Sequence, residues 1–300
     1  MIRHTEPPLE QGIRIGPYQV DQLVTKTRFS RIARATHTET GDSVALKVPT
    51  ENGVYLLENE RDIYCSLAGV TSSYLARMHG TGAWGGVPFI ATDWQPNGTL
   101  QELLPLSPIV AKRKNARSLP STPQDLQRNL RIIADGTTGL AELHKVKIIH
   151  CDIKLANIAV SNNTGKLLDF GVAVSVNDAS HIDEGTVFGT PGQSIPPEAY
   201  MYGNVASPTR DVWAMAATAF RALSGVKPFG ESYSWDPLEC HNQVNRKPDL
   251  TLRDFYRHAP SDLDRVITEA LNPKPKKRPS VSEMRDVFNR AAGQDGIFER

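Results

Sequence analysis

The chain has 300 residues, 39% hydrophobic and 22% charged, and its 34 Lys+Arg against 33 Asp+Glu leave a net charge of +1. That balance excludes a dedicated nucleic-acid binder, which carries a strongly basic face, and the composition excludes a disordered chain. Length suggests one large domain or two lobes, able to bury a core without disulfides or structural metals.

Cys65, Cys151 and Cys240 form no CxxC pair and no zinc spacing. Their odd number suits a reducing compartment, so a cytoplasmic location is expected. The opening MIRHTEPPLEQG lacks the apolar stretch of a secretory signal. No apolar run approaches the length of a membrane span, so no membrane partner is expected.

Residues 1–17 are polar, carry Pro7, Pro8 and Pro17, and read as a flexible lead-in. From Tyr18, the stretches YQVDQLV and SRIARAT alternate apolar and polar residues. SVALKV is a short apolar run after the Thr40-Gly41-Asp42 turn, so residues 18–50 read as three antiparallel strands. Residues 54–68 read as a helix with Leu56, Glu60, Ile63 and Leu67 on one face. Strand candidates follow around 75–80 and 87–92. Past Pro96 the pattern turns helical. Leu126, Leu130, Ile133, Leu140 and Leu143 line a helix ending near His144, and residues 211–223 are nearly all apolar, as in a core helix. Leu263, Val266, Ile267, Ala270 and Leu271 form a further stripe. The expected fold class is α+β, a small β-rich lobe followed by a larger helical one. Residues 105–124 hold Pro105, Pro108, Pro120 and Pro123 around the basic Lys112-Arg113-Lys114. They read as a solvated loop, with a docking or autophosphorylation role as the alternative.

The chemistry concentrates in two short motifs. His150-Cys151-Asp152-Ile153-Lys154-Leu155-Ala156-Asn157 follows a helix and an apolar strand, and Asp169-Phe170-Gly171 follows Leu167-Leu168. One carboxylate can accept a hydroxyl proton, the other can hold Mg²⁺, and the amide can complete the metal shell. The lysine can neutralise charge on a moving phosphoryl group. Either motif alone is weak evidence; both, in this order and at this separation, are strong.

Over about residues 18–292 the chain resembles the eukaryotic-type Ser/Thr protein kinases. The resemblance implies the bilobal kinase fold, with an N-lobe at 18–93, a C-lobe at 94–292 and a tail at 293–300. It implies that Asp152 is the catalytic aspartate, Lys154 the phosphate-contacting lysine, Asn157 a metal ligand and Asp169 the main Mg²⁺ ligand. Val44-Ala45-Leu46-Lys47 matches the third-strand motif, so Lys47 is expected to hold the α- and β-phosphates of ATP. Glu58 and Glu60 both suit its partner by position, and Glu60 is preferred because it lies on the apolar stripe. Asp93-Trp94-Gln95-Pro96 resembles the hinge, which makes Thr92 the gatekeeper and puts backbone near Trp94 against adenine. Val24, Thr25, Thr27, Ile32, Ala45 and Asp93 complete the implied nucleotide contacts. Pro197-Glu198, Asp211-Val212-Trp213 and Arg278-Pro279 resemble the elements that anchor a peptide substrate, and small-molecule kinases lack them. Thr190 resembles the threonine that contacts both the catalytic aspartate and the lysine. The implied cofactors are ATP and Mg²⁺, with Mn²⁺ as a substitute, and the implied partner is a protein with a Ser or Thr acceptor. Oligomeric state is not readable from the sequence.

Three departures stand out. Thr25, Thr27 and Ser30 occupy the three glycine positions of the phosphate loop, which implies weaker ATP binding but leaves the catalytic set whole. Cys151 replaces the arginine that usually receives an activation-loop phosphate, a non-RD pattern implying weaker dependence on that phosphorylation. The stretch from Gly189 to Glu198 carries about one extra residue and no tyrosine at the usual place. The expected function is an active Ser/Thr protein kinase. The alternatives are a pseudokinase acting as a nucleotide-responsive binding module and, less well supported, a small-molecule kinase.

Overall fold

The structure, a computed structural model, describes residues 9–104, 122–161, 163–176, 194–201, 206–230, 234 and 236–298. Thr190 and the basic stretch 112–114 lie outside the described residues. The chain divides into two compact units. One takes the residues up to Thr71, Ala76–Pro96 and Asp169–Ala173; the other takes Ser72–Leu75, Asn97–Leu168 and the chain from Val174.

The first unit is a sheet with one helix. Its strands are β1 (Arg14–Ile15), β2 (Tyr18–Lys26), β3 (Ser30–His37), β4 (Ser43–Pro49), β5 (Met78–Trp84) and β6 (Val87–Asp93), hydrogen-bonded in the order β1-β2-β3-β4-β6-β5 with every pair antiparallel. Helix α1 (Val54–Ser66) connects β4 to β5 and packs on β4 and β6. Period-two alternation in β4 sends Val44, Leu46 and Val48 into a core with Tyr18, Val20, Ala33, Ala35 and Phe89. Each such side chain contributes about 1.5–3 kcal/mol on burial. The meander and α1 agree with the sequence expectation. The strand expected at 75–80 instead runs Met78–Trp84 through Gly80 and Gly82, residues that hide a strand signal. Gly82 is needed there because a Cβ would lie 2.9 Å from the Phe89 ring.

The end of the expected lead-in is part of this core. Leu9 and Ile15 are buried in it, and β1 pairs with β2 through Arg14↔Gln19 and Ile15↔Tyr18. Ile13 packs against the same core, but Leu9, Ile13 and Ile15 are too few to make a periodic pattern, so the prolines and polar residues around them dominate the sequence reading.

The second unit is mostly helical. In chain order its elements are α2 (Leu100–Leu103), α3 (Pro123–Lys145), β7 (Ile148–Ile149), β8 (Ile158–Ser161), β9 (Thr164–Leu167), β10 (Val174–Ser175), α4 (Pro197–Met201), α5 (Pro208–Ser224), α6 (Pro237–Val244), α7 (Ser261–Ala270) and α8 (Val281–Ala292). A capping box opens α3: Asp125 N–H donates to Thr122 Oγ1 at 3.1 Å, and Thr122 N–H donates to Asp125 Oδ2 at 3.1 Å. Helix α5 is buried nearly all round, as its composition predicts, and α3 packs against it and against α8. Part of the segment expected as a tail, up to Phe298, is packed on this unit. Ile297 and Phe298 are buried, and the Phe298 ring meets Tyr256 edge-on at 5.1 Å. Among the described residues no helix is long and apolar enough to cross a membrane.

Candidate active site

Strand pairing gathers Thr25, Ile32, Ala45, Lys47 and Thr92 on one face of the first unit's sheet. Thr25 pairs with Ile32, Ile32 with Lys47 and Lys47 with Ile90. In the next row Arg34 pairs with Ala45, and Ala45 with Thr92. Directly paired residues share a face, and this face is opposite the one that carries Val44 and Leu46 into the core. Val24 sits in the irregularity between Leu23 and Thr25 and is exposed. Asp93 ends β6, where its carboxylate pairs with His79 Nε2 at 2.7 Å and accepts from the Arg77 N–H at 3.2 Å. Trp94 lies under the Arg34 guanidinium, 5.9 Å from the ring centre.

Lys47 is the charged centre of this unit. Its Nζ donates to Glu60 Oε2 at 2.7 Å and to Asp169 Oδ1 at 2.8 Å. Helical periodicity aims Glu60 inward with Leu57, Ile63 and Tyr64, whereas Glu58 is exposed. Burial works against the Lys47 ammonium, but Asp169 and then Glu60 overcome it and hold its pKa above the ordinary lysine value. Burial raises the Glu60 carboxyl, and the ammonium beside it pulls the other way. The lysine is therefore a fixed cation held between two carboxylates, one deep and one 43% exposed.

Asp169 has φ 63, a left-handed conformation that a non-glycine residue adopts only when its surroundings hold it there. Asn59, one residue before Glu60, does part of the holding. Its Nδ2 donates to the carbonyls of Gly171 and Ala173 at 3.0 Å each, with Phe170 O at 3.5 Å. Phe170 is buried against the Tyr64 ring at 5.1 Å. Sequence reasoning missed Asn59, because a polar residue on a helix reads as solvent-facing. Asn59→Ala is expected to destabilise the protein by about 1–3 kcal/mol, the range for buried acceptors that lose their donor. Urea unfolding measures it, and an unchanged midpoint would contradict the role.

The second unit carries the other motif. The Asp152 carboxylate accepts from Lys154 Nζ at 2.7 Å and from Asn157 Nδ2 at 3.1 Å, and its carbonyl accepts from Asn157 Nδ2 at 2.8 Å. Within this unit Leu168 N–H donates to Asn157 O at 2.9 Å. Beneath the loop lies Asp211 of α5, fully buried. It accepts from His144 Nε2 and His150 N–H at 2.8 Å each and from Cys151 N–H at 2.9 Å. Arg278 stacks 4.8 Å from the Trp213 ring centre and grips Glu198 with two bonds of 2.6 and 2.7 Å, a bidentate pair.

The model of the protein kinase domain family matches residues 18–287. The chain belongs to the protein kinase domain family. It is 27% identical over 282 residues to the serine/threonine-protein kinase hippo of Drosophila melanogaster, covering 92% of this chain and 38% of that protein. It is 28% identical over 215 residues to the serine/threonine-protein kinase PknB of Mycobacterium leprae, covering 70% and 31%. It is 26% identical over 269 residues to the serine/threonine-protein kinase cst-1 of Caenorhabditis elegans, covering 87% and 49%. The chain thus matches less than half the length of each of these relatives.

In this kinase domain the Cys151 thiol is buried, and burial pushes its pKa well above the ordinary cysteine value. A maleimide is therefore expected to label the exposed Cys65 in the folded protein and to spare Cys151 until denaturant is added. Rapid labelling of Cys151 under native conditions would contradict this. The residue types themselves suit a hard cation, since the Asp169 carboxylate in one unit and the Asn157 amide in the other are oxygen donors. Among the described residues no group of three or more His, Cys, Asp or Glu side chains is placed to hold a metal ion by itself.

Proposed function

We propose that this kinase domain is a cytoplasmic Ser/Thr protein kinase that transfers the γ-phosphoryl group of Mg·ATP to a protein hydroxyl. The observation that carries the reading is Lys47, held charged between Glu60 at 2.7 Å and Asp169 at 2.8 Å in a chain of this family. Lys47 would bind the α- and β-phosphates, with Glu60 fixing its direction. Asp152 would orient the acceptor hydroxyl and take its proton. Lys154 would neutralise charge on the transferred group, and Asn157 and Asp169 would be the metal ligands. A Mg²⁺ ion held by those residues would supply positive charge to offset the charge on the phosphoryl group. Arg278, gripping Glu198, supports a protein acceptor, because that pair resembles the anchor of a peptide-docking segment. The names of these relatives, all serine/threonine-protein kinases, support Ser/Thr acceptors.

The test of acceptor class is phosphoamino-acid analysis after incubation with labelled Mg·ATP and a generic acceptor protein. Label on phosphoserine or phosphothreonine is expected. Label confined to phosphotyrosine, or found on a small metabolite and never on protein, would overturn the assignment.

A further inference from the structure

The turn between β2 and β3 is built around one side chain. Phe29 N–H donates to Thr27 Oγ1 at 3.2 Å, and Ser30 N–H donates to the same oxygen at 3.0 Å. The Thr27 hydroxyl and N–H both donate to the Ser30 carbonyl, at 3.1 and 2.8 Å. The outer edge of the turn is pinned as well. Thr50 N–H donates to Phe29 O at 2.9 Å, and Thr50 Oγ1 donates to Arg28 O at 2.6 Å. Gly53 approaches so closely that a Cβ on it would lie 1.7 Å from the Phe29 carbonyl oxygen. The turn is therefore closed by its own hydroxyl and fastened at the start of α1, the helix that carries Glu60.

In this family the turn at this place covers nucleotide phosphate, and free backbone N–H groups are what such a loop offers an anion. An N–H already directed at a hydroxyl oxygen must leave it before it can serve a phosphate. We propose that Thr27 is a positioning residue that ties up the Phe29 and Ser30 N–H groups and so weakens this loop's grip on nucleotide phosphate. The proposal rests on the nucleotide-binding reading above and adds to it a residue that tunes affinity where the family carries glycine.

Three variants separate the hydroxyl from the shape. Thr27→Val keeps the branched side chain and deletes the acceptor. Thr27→Gly deletes the acceptor and frees the backbone. Thr27→Ser keeps the acceptor. Thr27 is exposed, so none of them disturbs the core. Calorimetric titration of the whole chain with Mg·ATP, ADP and adenosine reads the effect. Thr27→Val and Thr27→Gly are expected to bind ATP and ADP about three- to tenfold tighter than wild type, the ratio for freeing about one neutral hydrogen bond. Adenosine affinity should not move, and Thr27→Ser should restore wild-type values. A change in packing alone would move adenosine together with ATP. Unchanged or weaker ATP binding in both Thr27→Val and Thr27→Gly, or a gain shared by adenosine, overturns the proposal while leaving nucleotide binding intact. If neither wild type nor any variant binds ATP or adenosine, the nucleotide reading itself falls, and the proposal falls with it.

Discussion

Asp152→Asn is expected to lower the turnover of phosphoryl transfer by about 10²–10⁴-fold, the range for loss of a general base, with nucleotide affinity unchanged. The carboxylate is already oriented, since Lys154 Nζ and Asn157 Nδ2 both donate to it. Asparagine keeps the volume but has no basic oxygen for a hydroxyl proton, and it turns an NH₂ toward one of those donors. Asp169→Asn should behave differently. Asp169 accepts directly from Lys47 Nζ, so its neutralisation should weaken nucleotide binding and turnover together. Steady-state kcat with KM for ATP, set beside calorimetric affinity, separates the two patterns. Wild-type turnover in Asp152→Asn would move proton transfer to another group.

Asp211→Asn is expected to destabilise the second unit by about 3–5 kcal/mol, as when one partner of a buried charged network is removed. The carboxylate serves three donors: two backbone N–H groups, of His150 and Cys151, and the His144 ring. A carboxamide offers one acceptor oxygen and a competing NH₂, so at least one of these donors is orphaned at a fully buried residue. The donors lie just before Asp152, and Cys151 has φ 65, a left-handed backbone that needs such support. The pH dependence follows. Burial works to raise the Asp211 carboxyl, but the hydrogen bond and charge of His144, with His150 behind it, outweigh burial and hold the pKa below the ordinary carboxylate value. The stability Asp211 contributes is then fully present above the unfolded-state pKa and is lost as pH falls through the lowered folded one. Denaturant melts from neutral to acid pH should show that slope in wild type and a reduced one in Asp211→Asn. Equal stability of the two proteins at neutral pH would show that the network under the catalytic loop is dispensable.

Much of this is legible in the sequence. Alternation in SVALKV puts Lys47 on the face opposite Val44 and Leu46, and the helical stripe separates Glu60 from Glu58. Those are periodic signals, and they are strong because each face of a strand or helix meets a different environment. What escaped the sequence depends on contacts between residues with no periodic relation. Leu9, Ile13 and Ile15 carry too little apolar pattern to mark a strand edge, and Ile297 and Phe298 are too few to mark a docked end. Asn59 looks like any solvent-facing helix residue until the Asp169–Ala173 turn is brought against it. The threonines and serine at 25, 27 and 30 mark a loop without glycine, yet nothing in their order says that the Thr27 hydroxyl closes the turn.

The most direct test of the central claim is transfer of labelled phosphate from Mg·ATP, to the chain itself and to an acceptor protein, by wild type beside Asp152→Ala and Asp169→Ala. A working kinase domain labels Ser or Thr in the wild-type reaction, and the label vanishes in both variants. If all three are equally silent while ATP still raises the wild-type melting temperature, the chain binds nucleotide without transferring phosphate, and the account of Asp152 as a catalytic base is wrong.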